Sequence, residues 1–131
     1  MAKSEGRVAI VTGGGSGIGK ESAFALAKDG YSVAIAGRRE EVLNETVKEA
    51  TNEGLKMLGV QTDVGNPKSV KNLFSKTLEN FGRLDVLFNN AGGGAPKILI
   101  EDLTYEQWQT VVDSNLTGTF LCSQEAIKIM K

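Results

Sequence analysis

The sequence has no histidine and a single cysteine. Without histidine the chain has no histidine general base, no Ser-His-Asp triad and no histidine-ligated metal, and we expect no metal site. Because Cys122 has no partner for an internal disulfide, a reducing cytoplasm is the expected location. No apolar run approaches the ~20 residues of a membrane span, and residues 1–6 lack the apolar stretch of a secretory signal.

An excess of charge of either sign is also absent. The chain has 15 basic and 16 acidic residues and a formal net charge of -1. This balance gives no electrostatic reason to expect nucleic acid or an anionic membrane as a partner. With 131 residues, of which 40% are hydrophobic and 24% charged, one globular domain over residues 1–131 is expected.

Glycine, in contrast, is abundant, and four of the 16 glycines lie between positions 13 and 17. The cluster Thr12–Gly19 follows an apolar run at 8–11 and leads into residues 22–27, which have a helical pattern. Glycines let the backbone approach an anion, and the N–H groups and positive dipole of the helix start face it. The cluster therefore predicts a phosphate-binding loop for a nucleotide. The alternative, a merely tight strand–helix turn, would need fewer glycines.

The spacing of these glycines distinguishes between kinds of phosphate loop. The G-x-G-x-x-G pattern is absent. Its last glycine would stand three positions after Gly15 or three after Gly17, and these positions are Ile18 and Lys20. Residues 14–20 have the G-x-x-x-x-G-K spacing of nucleoside triphosphatases, but Glu21 stands where a hydroxyl should bind magnesium. The segment does fit T-G-x-x-x-G-I-G, and a phosphotransferase is the less favoured alternative.

Strand and helix patterns alternate along the chain. Strands are predicted at 8–11, 31–36, 56–62 and 84–88. Helices are predicted after the glycine loop, at about 40–53, 67–81 and 104–113, and from 115 or 116 to the end. Such alternation implies right-handed crossovers and predicts an α/β fold, a doubly wound parallel sheet with helices on both faces. Sheets of this kind bind ligands at the carboxyl ends of their strands.

Charged residues follow the second and third predicted strands. Dinucleotide folds use an acid near this point for the ribose 2′-hydroxyl of NAD, or an arginine for the 2′-phosphate of NADP. Arg38 and Arg39 therefore favour NADP over NAD, although the two glutamates that follow leave open a solvated run of charge. Asp63 is placed to accept a hydrogen bond from an exocyclic amine, or else to cap the helix before Pro67.

Asparagines mark the last two candidate segments. Asn89–Gly92 follows the fourth strand, where asparagine and glycine could equally serve as turn formers. Asn115 precedes the last helix, and by its position alone it is a candidate N-cap.

Four parts of the chain resemble the short-chain dehydrogenases/reductases: Thr12–Gly19, Asp63–Val64, Asn89–Gly92, and Asn115 followed by Gly118. They have the order and spacing of that family and extend over essentially the whole chain. The resemblance implies a Rossmann-like fold and an NAD(P)-dependent oxidoreductase, which transfers a hydride between a nicotinamide cofactor and an alcohol or carbonyl substrate. It also implies that the complete enzyme is a homo-oligomer that packs through the apolar stripe of the last helix.

The resemblance implies a role for each segment. The glycine loop would hold the cofactor pyrophosphate, through Thr12, Gly13, Ser16, Gly17, Ile18 and Gly19. Asp63 would bond the adenine amino group and Val64 would support it through its backbone. The turn after strand four would lie along the cofactor, through Asn90, Ala91 and Gly92. Asn115 would be one of four catalytic residues and would hold a water in a proton relay. A further NADP signal of the family, a basic residue before the second loop glycine, is replaced here by Ser16.

The serine and the Tyr-x-x-x-Lys pair of the family's active site are not matched. Four positions after Tyr31 stands Ile35. Four positions after Tyr105 stands Gln109. By resemblance the pair lies beyond Lys131, so we expect the cofactor-binding half of a longer enzyme, ending after the helix that follows strand four. The chain alone is then expected to be marginally stable and inactive. A non-catalytic dinucleotide-binding module is the alternative.

Overall fold

The computed structural model describes residues 6–92 and 97–131. Its strands are β1 (Val8–Thr12), β2 (Ser32–Gly37), β3 (Met57–Gln61) and β4 (Val86–Phe88). Its helices are α1 (Gly17–Lys28), α2 (Glu40–Asn52), α3 (Pro67–Phe81), α4 (Tyr105–Val112) and α5 (Gly118–Met130). A 3₁₀ turn at Ile100–Asp102 precedes α4, and a π-helical turn at Asp113–Thr117 joins α4 to α5. Within these ranges, none of the helices is both long enough and apolar enough to cross a membrane.

The strands form a parallel sheet in the order β3-β2-β1-β4. From β1 the chain adds β2 and then β3 on one side of the sheet. It then crosses back, and β4 pairs with the other side of β1. Ile10 of β1 accordingly lies between Ala34 of β2 and Leu87 of β4. The strand order reverses between β1 and β4, and open α/β sheets bind ligands at the carboxyl ends of the strands beside such a reversal. The predicted Rossmann-like parallel sheet is confirmed.

Helices cover both faces of the sheet, as predicted. Successive side chains of a strand point to opposite faces, so Ile10 and Val11 of β1 belong to different cores. On one face the helices α3 and α5 pack through Val70, Leu73, Phe74, Cys122 and Ala126. On the other face α1 and α2 pack through Ala23, Ala27 and Leu43. Burial on both faces explains why β1 and β2 appear in the sequence as uninterrupted apolar runs rather than alternating ones.

The fourth strand is shorter than predicted, and just before it Asp85 bonds Val8 of β1 through both its backbone N–H, at 2.8 Å, and its side chain. Its Oδ2 accepts a hydrogen bond from the N–H of Val8 at 2.9 Å. The Arg83 guanidinium donates to both oxygens of the same carboxylate, at 2.9 and 2.6 Å. The hydrogen bond from Arg83 holds the pKa of Asp85 below its ordinary value, and the bond from Val8 acts in the same direction. The strand begins at Val86 rather than at residue 84.

The junction of α4 and α5 also differs from the prediction of two separate helices. The backbone keeps right-handed helical dihedral angles at Asp113 and Thr117, so the helices are continuous through the π turn. Asn115 lies inside that turn, and its Nδ2 donates to the carbonyl of Val111 at 2.9 Å. Asn115 is therefore not a helix N-cap, and that alternative is wrong.

Candidate functional site

A cavity of about 380 Å³ lies at the carboxyl ends of β1, β2 and β3, beside the segment that follows β4. Small-molecule sites have volumes of roughly 300–1,000 Å³. The lining residues are Gly13, Gly15, Ser16, Ala36, Gly37, Arg38, Arg39, Val42, Leu43, Thr62, Asp63, Val64, Ala91, Gly92 and Ser114. The cavity thus brings together the segments after four neighbouring strands, at the edge of the sheet where this fold binds ligands.

The glycine loop between β1 and α1 forms one wall of the cavity. The loop is tied to β2, since the N–H groups of Gly13 and Gly14 donate to the carbonyl of Ala36 at 2.7 and 3.3 Å. Gly13 and Gly17 have φ angles of +67° and +55°, which favour glycine. Ser16 occupies the N-cap of α1, and its side chain accepts no hydrogen bond from the first turn. A helix start without a side-chain cap suits an anion as the partner of its N–H groups.

Other residues of the loop lie away from the cavity. A Cβ on Gly19 would collide with the carbonyl oxygen of Gly13, so Gly19 shapes the loop from behind. Gly17 is exposed, and Ile18 is exposed to 74%. The structure therefore places Gly17, Ile18 and Gly19 in the first turn of α1 and outside the cavity lining.

Thr12 and Asn90 support the cavity without lining it. The buried hydroxyl of Thr12 accepts hydrogen bonds from the N–H groups of Asn90 and Ala91, at 3.0 and 2.9 Å. The Nδ2 of Asn90 in turn donates to the carbonyl of Gly13 at 3.3 Å. These bonds hold the segment after β4 against the glycine loop, which brings Ala91 and Gly92 to the cavity.

Arg38 and Arg39 lie at the turn between β2 and α2 and line the cavity. Both are exposed, and the ion pairs found in the described part of the chain involve neither guanidinium. The turn is held in place from β3, since the Nε2 of Gln61 donates to the carbonyl of Arg38 at 3.1 Å. The cavity therefore has a basic rim at this end.

Asp63 and Val64 follow β3 and also line the cavity. The Oδ1 of Asp63 accepts a hydrogen bond from the N–H of Gly65 at 3.0 Å, which shapes the turn. Asp63 does not cap α3, since Asn66 occupies the N-cap and accepts from two N–H groups of the first turn. Val64 is buried against α5, where a Cβ on Gly118 would lie 2.6 Å from its Cγ2.

Ser114 of the π turn lines the cavity, and the sequence did not predict this residue as part of the site. Asn115 does not line the cavity, and its Oδ1 lies against the backbone of Gly92. The sequence reasoning also missed an apolar wall at the start of α2, formed by Val42 and Leu43. The helical spacing of these two residues predicted that they belong to the core. Their closeness to Arg39 in the sequence was the available sign that they also line the cavity.

Lys20 points to α2 rather than to the cavity. Its Nζ pairs with Oε2 of Glu49 at 2.9 Å, and this hydrogen bond raises the pKa of Lys20 above its ordinary value. The Nζ of Lys20 thus pairs with a carboxylate of α2 and does not line the cavity, unlike the lysine of a nucleoside triphosphatase loop, which faces the phosphates. In the described ranges, no group of three or more Cys, Asp or Glu residues is arranged to hold a metal.

The chain matches the family described as short chain dehydrogenase over residues 7–131. It is 38% identical over 126 residues to the peroxisomal 2,4-dienoyl-CoA reductase of Arabidopsis thaliana, which covers 96% of this chain and 42% of that protein. It is 39% identical over 131 residues to the 3-oxoacyl-[acyl-carrier-protein] reductase of Synechocystis sp., with 99% and 53% covered.

The fold is similar to the crystal structure of a variant of actinorhodin polyketide ketoreductase with NADPH. The TM-score is 0.90 at 38% identity, and the match covers 98% of this chain and 49% of that chain. This chain therefore spans about half the length of the relatives that it matches.

Proposed function

The chain belongs to the short-chain dehydrogenase/reductase family, and we propose that it is the cofactor-binding half of an NAD(P)-dependent oxidoreductase. One observation carries the proposal: the glycine loop, the arginine turn and the Asp63 turn meet in one cavity. When bound, the nicotinamide exchanges a hydride with an alcohol or carbonyl substrate. The residues of this chain bind and orient that cofactor.

The residues around the cavity fit a dinucleotide. Gly13 and the uncapped start of α1 bring backbone to the cavity wall, where a pyrophosphate would find N–H partners, and Ser16 lines the same wall. The Asp63 carboxylate would accept a hydrogen bond from the adenine amino group, and Val64 would support the adenine through its backbone.

The remaining residues would act along the cofactor or behind the loop. Ala91 and Gly92 would lie along the cofactor. Thr12, Gly19 and Asn90 would act by shaping the loop, and Gly17 and Ile18 through the first turn of α1.

On this proposal the favoured cofactor is NADP. Arg38 and Arg39 carry guanidinium groups at the cavity rim, and a guanidinium offers a 2′-phosphate a fork of hydrogen-bond donors. NAD-preferring folds place a carboxylate near this position, and that group would repel the phosphate. The ketoreductase structure described above contains NADPH, which supports the same choice.

A titration of the purified chain with NADPH and with NADH, followed by nucleotide fluorescence, tests the proposal. We expect Arg38→Asp to raise the NADPH Kd by about tenfold or more, the size of a lost charge-assisted hydrogen bond. The NADH Kd should change little, because NADH has no 2′-phosphate.

The control variant is Lys56→Asp, which makes the same change of charge at an exposed residue before β3, away from the cavity. It measures the effect of net charge alone. An NADPH-to-NADH ratio that Arg38→Asp leaves unchanged would refute the role of Arg38. A wild-type chain that binds neither nucleotide would refute the proposed cofactor function.

We further propose that Asn115 holds a water in the proton relay of the complete enzyme. Its place on a π turn beside Gly92 supports this role, because π turns occur frequently at functional sites. The 131 residues contain no Tyr-x-x-x-Lys pair to exchange a proton with the substrate oxygen. The chain alone is therefore proposed to be inactive.

We also propose that the complete enzyme is a homo-oligomer with a cytoplasmic location. Large apolar side chains are exposed along the π turn and α5, namely Leu116, Phe120, Ile127 and Met130. Exposed apolar patches of this kind mark surfaces that pack against other chains. Cys122 is a buried thiol without a disulfide, which is compatible with a reducing compartment.

A further inference from the structure

Thr46 of α2 is a buried polar residue whose hydroxyl reaches the glycine loop. Its exposure is 2%, and its Oγ1 donates to the carbonyl oxygen of Gly15 at 3.2 Å. Burying a hydroxyl without a hydrogen-bond partner is costly, and a threonine inside a helix can use the carbonyl four residues earlier. Thr46 instead bonds a residue of the cavity wall on a different element.

Two more contacts place α2 against the same loop and the helix that follows it. A Cβ on Gly15 would lie 3.0 Å from Cγ1 of Val42. Glu49, three residues after Thr46, pairs with Lys20 of α1 at 2.9 Å. Helix α2 thus contacts the glycine loop through an apolar side chain and the buried hydroxyl, and it contacts α1 through an ion pair.

Helix α2 also carries the arginine turn at its start. Arg39 is its N-cap, and the carbonyl of Arg39 accepts from the N–H of Leu43 at 3.2 Å. The side chain of Leu43 lies 3.5 Å from the Cβ position of Gly15 and 3.5 Å from that of Gly37. The position of α2 therefore sets the spacing between the Gly15–Ser16 segment and the arginines.

The hydrogen bond from Thr46 also orients a donor of the loop. The described peptide bonds are all trans, and in a planar trans peptide the C=O and N–H point in opposite directions. Because the carbonyl of Gly15 points to Thr46, the N–H of Ser16 in the same peptide points away from that hydroxyl. Loss of the hydroxyl would free this peptide to rotate.

We propose that Thr46 is a positioning residue for the adenosine ribose and 2′-phosphate of the dinucleotide. This inference rests on the proposed function, since it concerns the same cavity. Thr46 acts through Gly15: it fixes the Gly15–Ser16 peptide relative to the arginine turn, so that both can contact one phosphate group at once. NADH, which lacks the 2′-phosphate, depends less on that spacing.

The test compares Thr46→Val and Thr46→Ser by titration with NADPH and with NADH. Valine keeps the volume and removes the hydroxyl, whereas serine keeps the hydroxyl. We expect Thr46→Val to raise the NADPH Kd by about three- to tenfold, the range for one neutral hydrogen bond, and the NADH Kd by less than about twofold. Thr46→Ser should restore most of the NADPH affinity.

Thr77→Val is the matched control, since Thr77 is 1% exposed and its hydroxyl donates to the carbonyl of Leu73 within α3. It measures the effect of losing a buried hydroxyl elsewhere, and we expect an unchanged NADPH-to-NADH ratio. Equal losses for both nucleotides in Thr46→Val, or no rescue by serine, would overturn the role of Thr46 alone. A wild-type chain that binds neither nucleotide would overturn the proposed function together with this inference.

Discussion

At Gly19 the glycine loop has no space for a side chain. A Cβ there would collide with the carbonyl oxygen of Gly13 and lie 2.5 Å from the Nδ2 of Asn90. Gly19 is inside α1, where glycine is less favourable than alanine by about 1 kcal/mol. The residue therefore opposes local helix propensity, and the physical reason is the close approach of the first turn of α1 to the carbonyl group of Gly13 and the side chain of Asn90.

We expect Gly19→Ala to lower the free energy of unfolding by about 1–3 kcal/mol, as overpacking does. Helix propensity alone would give the opposite sign. Gly37→Ala is the control, because its Cβ would meet the Leu43 side chain at an ordinary 3.5 Å. Urea denaturation followed by circular dichroism measures both variants. A Gly19→Ala chain as stable as the wild type would contradict the steric argument.

The basic residues near the loop differ in their partners. Lys20 is held by Glu49, whereas no ion pair of the described residues involves Arg38 or Arg39. Along the sequence the opposite would be expected, because Glu40 and Glu41 directly follow the arginines and Glu49 is far from Lys20. The tertiary structure brings Glu49 of α2 to Lys20 of α1 and leaves both arginines outside the ion pairs of the described residues.

At the scale of elements, the start of α3 stabilises one side of the cavity. Asn66 is the N-cap, and its Oδ1 accepts from the N–H groups of Lys68 and Ser69 at 2.9 and 3.2 Å. The hydroxyl of Ser69 in turn accepts from the N–H of Asp63 at 2.8 Å. The cap of a helix is thereby connected to the backbone of a lining residue.

We expect Asn66→Ala to lower the free energy of unfolding by about 1 kcal/mol, the typical effect of losing an N-cap. Asn72→Ala, at an exposed position in the middle of α3, is the control. It should leave stability unchanged or slightly raised, because alanine is the better helix former. Thermal or urea unfolding distinguishes the two, and equal effects of both substitutions would argue against the cap.

The π turn between α4 and α5 was not predictable from the helical periodicity of apolar residues in the sequence. A π turn widens the helix by one residue, so positions after it no longer follow the 3.6-residue repeat of α4. This shift accompanies the placement of Ser114 in the cavity lining and of Asn115 beside Gly92. The sequence marked Asn115 by resemblance, but it gave no sign of Ser114.

At the scale of the whole molecule, the chain carries the cavity that we propose binds a cofactor, and its 131 residues contain no Tyr-x-x-x-Lys pair. On our proposal, purified chain should bind NADPH yet show no NADPH oxidation above background with carbonyl substrates. Absorbance at the nicotinamide band measures turnover, and nucleotide fluorescence on the same sample measures binding. Turnover by the chain with no longer polypeptide present would contradict the proposal.

The sequence by itself determined the alternation of strands and helices, the parallel sheet and the glycine loop at the end of β1. These follow from local patterns, since apolar runs, helical spacing and glycine clusters act within a few residues. It also marked Arg38, Arg39 and Asp63, because the carboxyl ends of parallel strands meet at one edge of the sheet.

Tertiary structure alone decided which of the marked residues face the cavity and which support it. Thr12 and Asn90 bond the loops from behind, Gly19 makes room for them, and Thr46 reaches the loop from α2. These roles depend on contacts between residues about 30 to 80 positions apart along the chain. The orientation in which helices pack on the sheet sets such contacts, and no local pattern in the sequence encodes it.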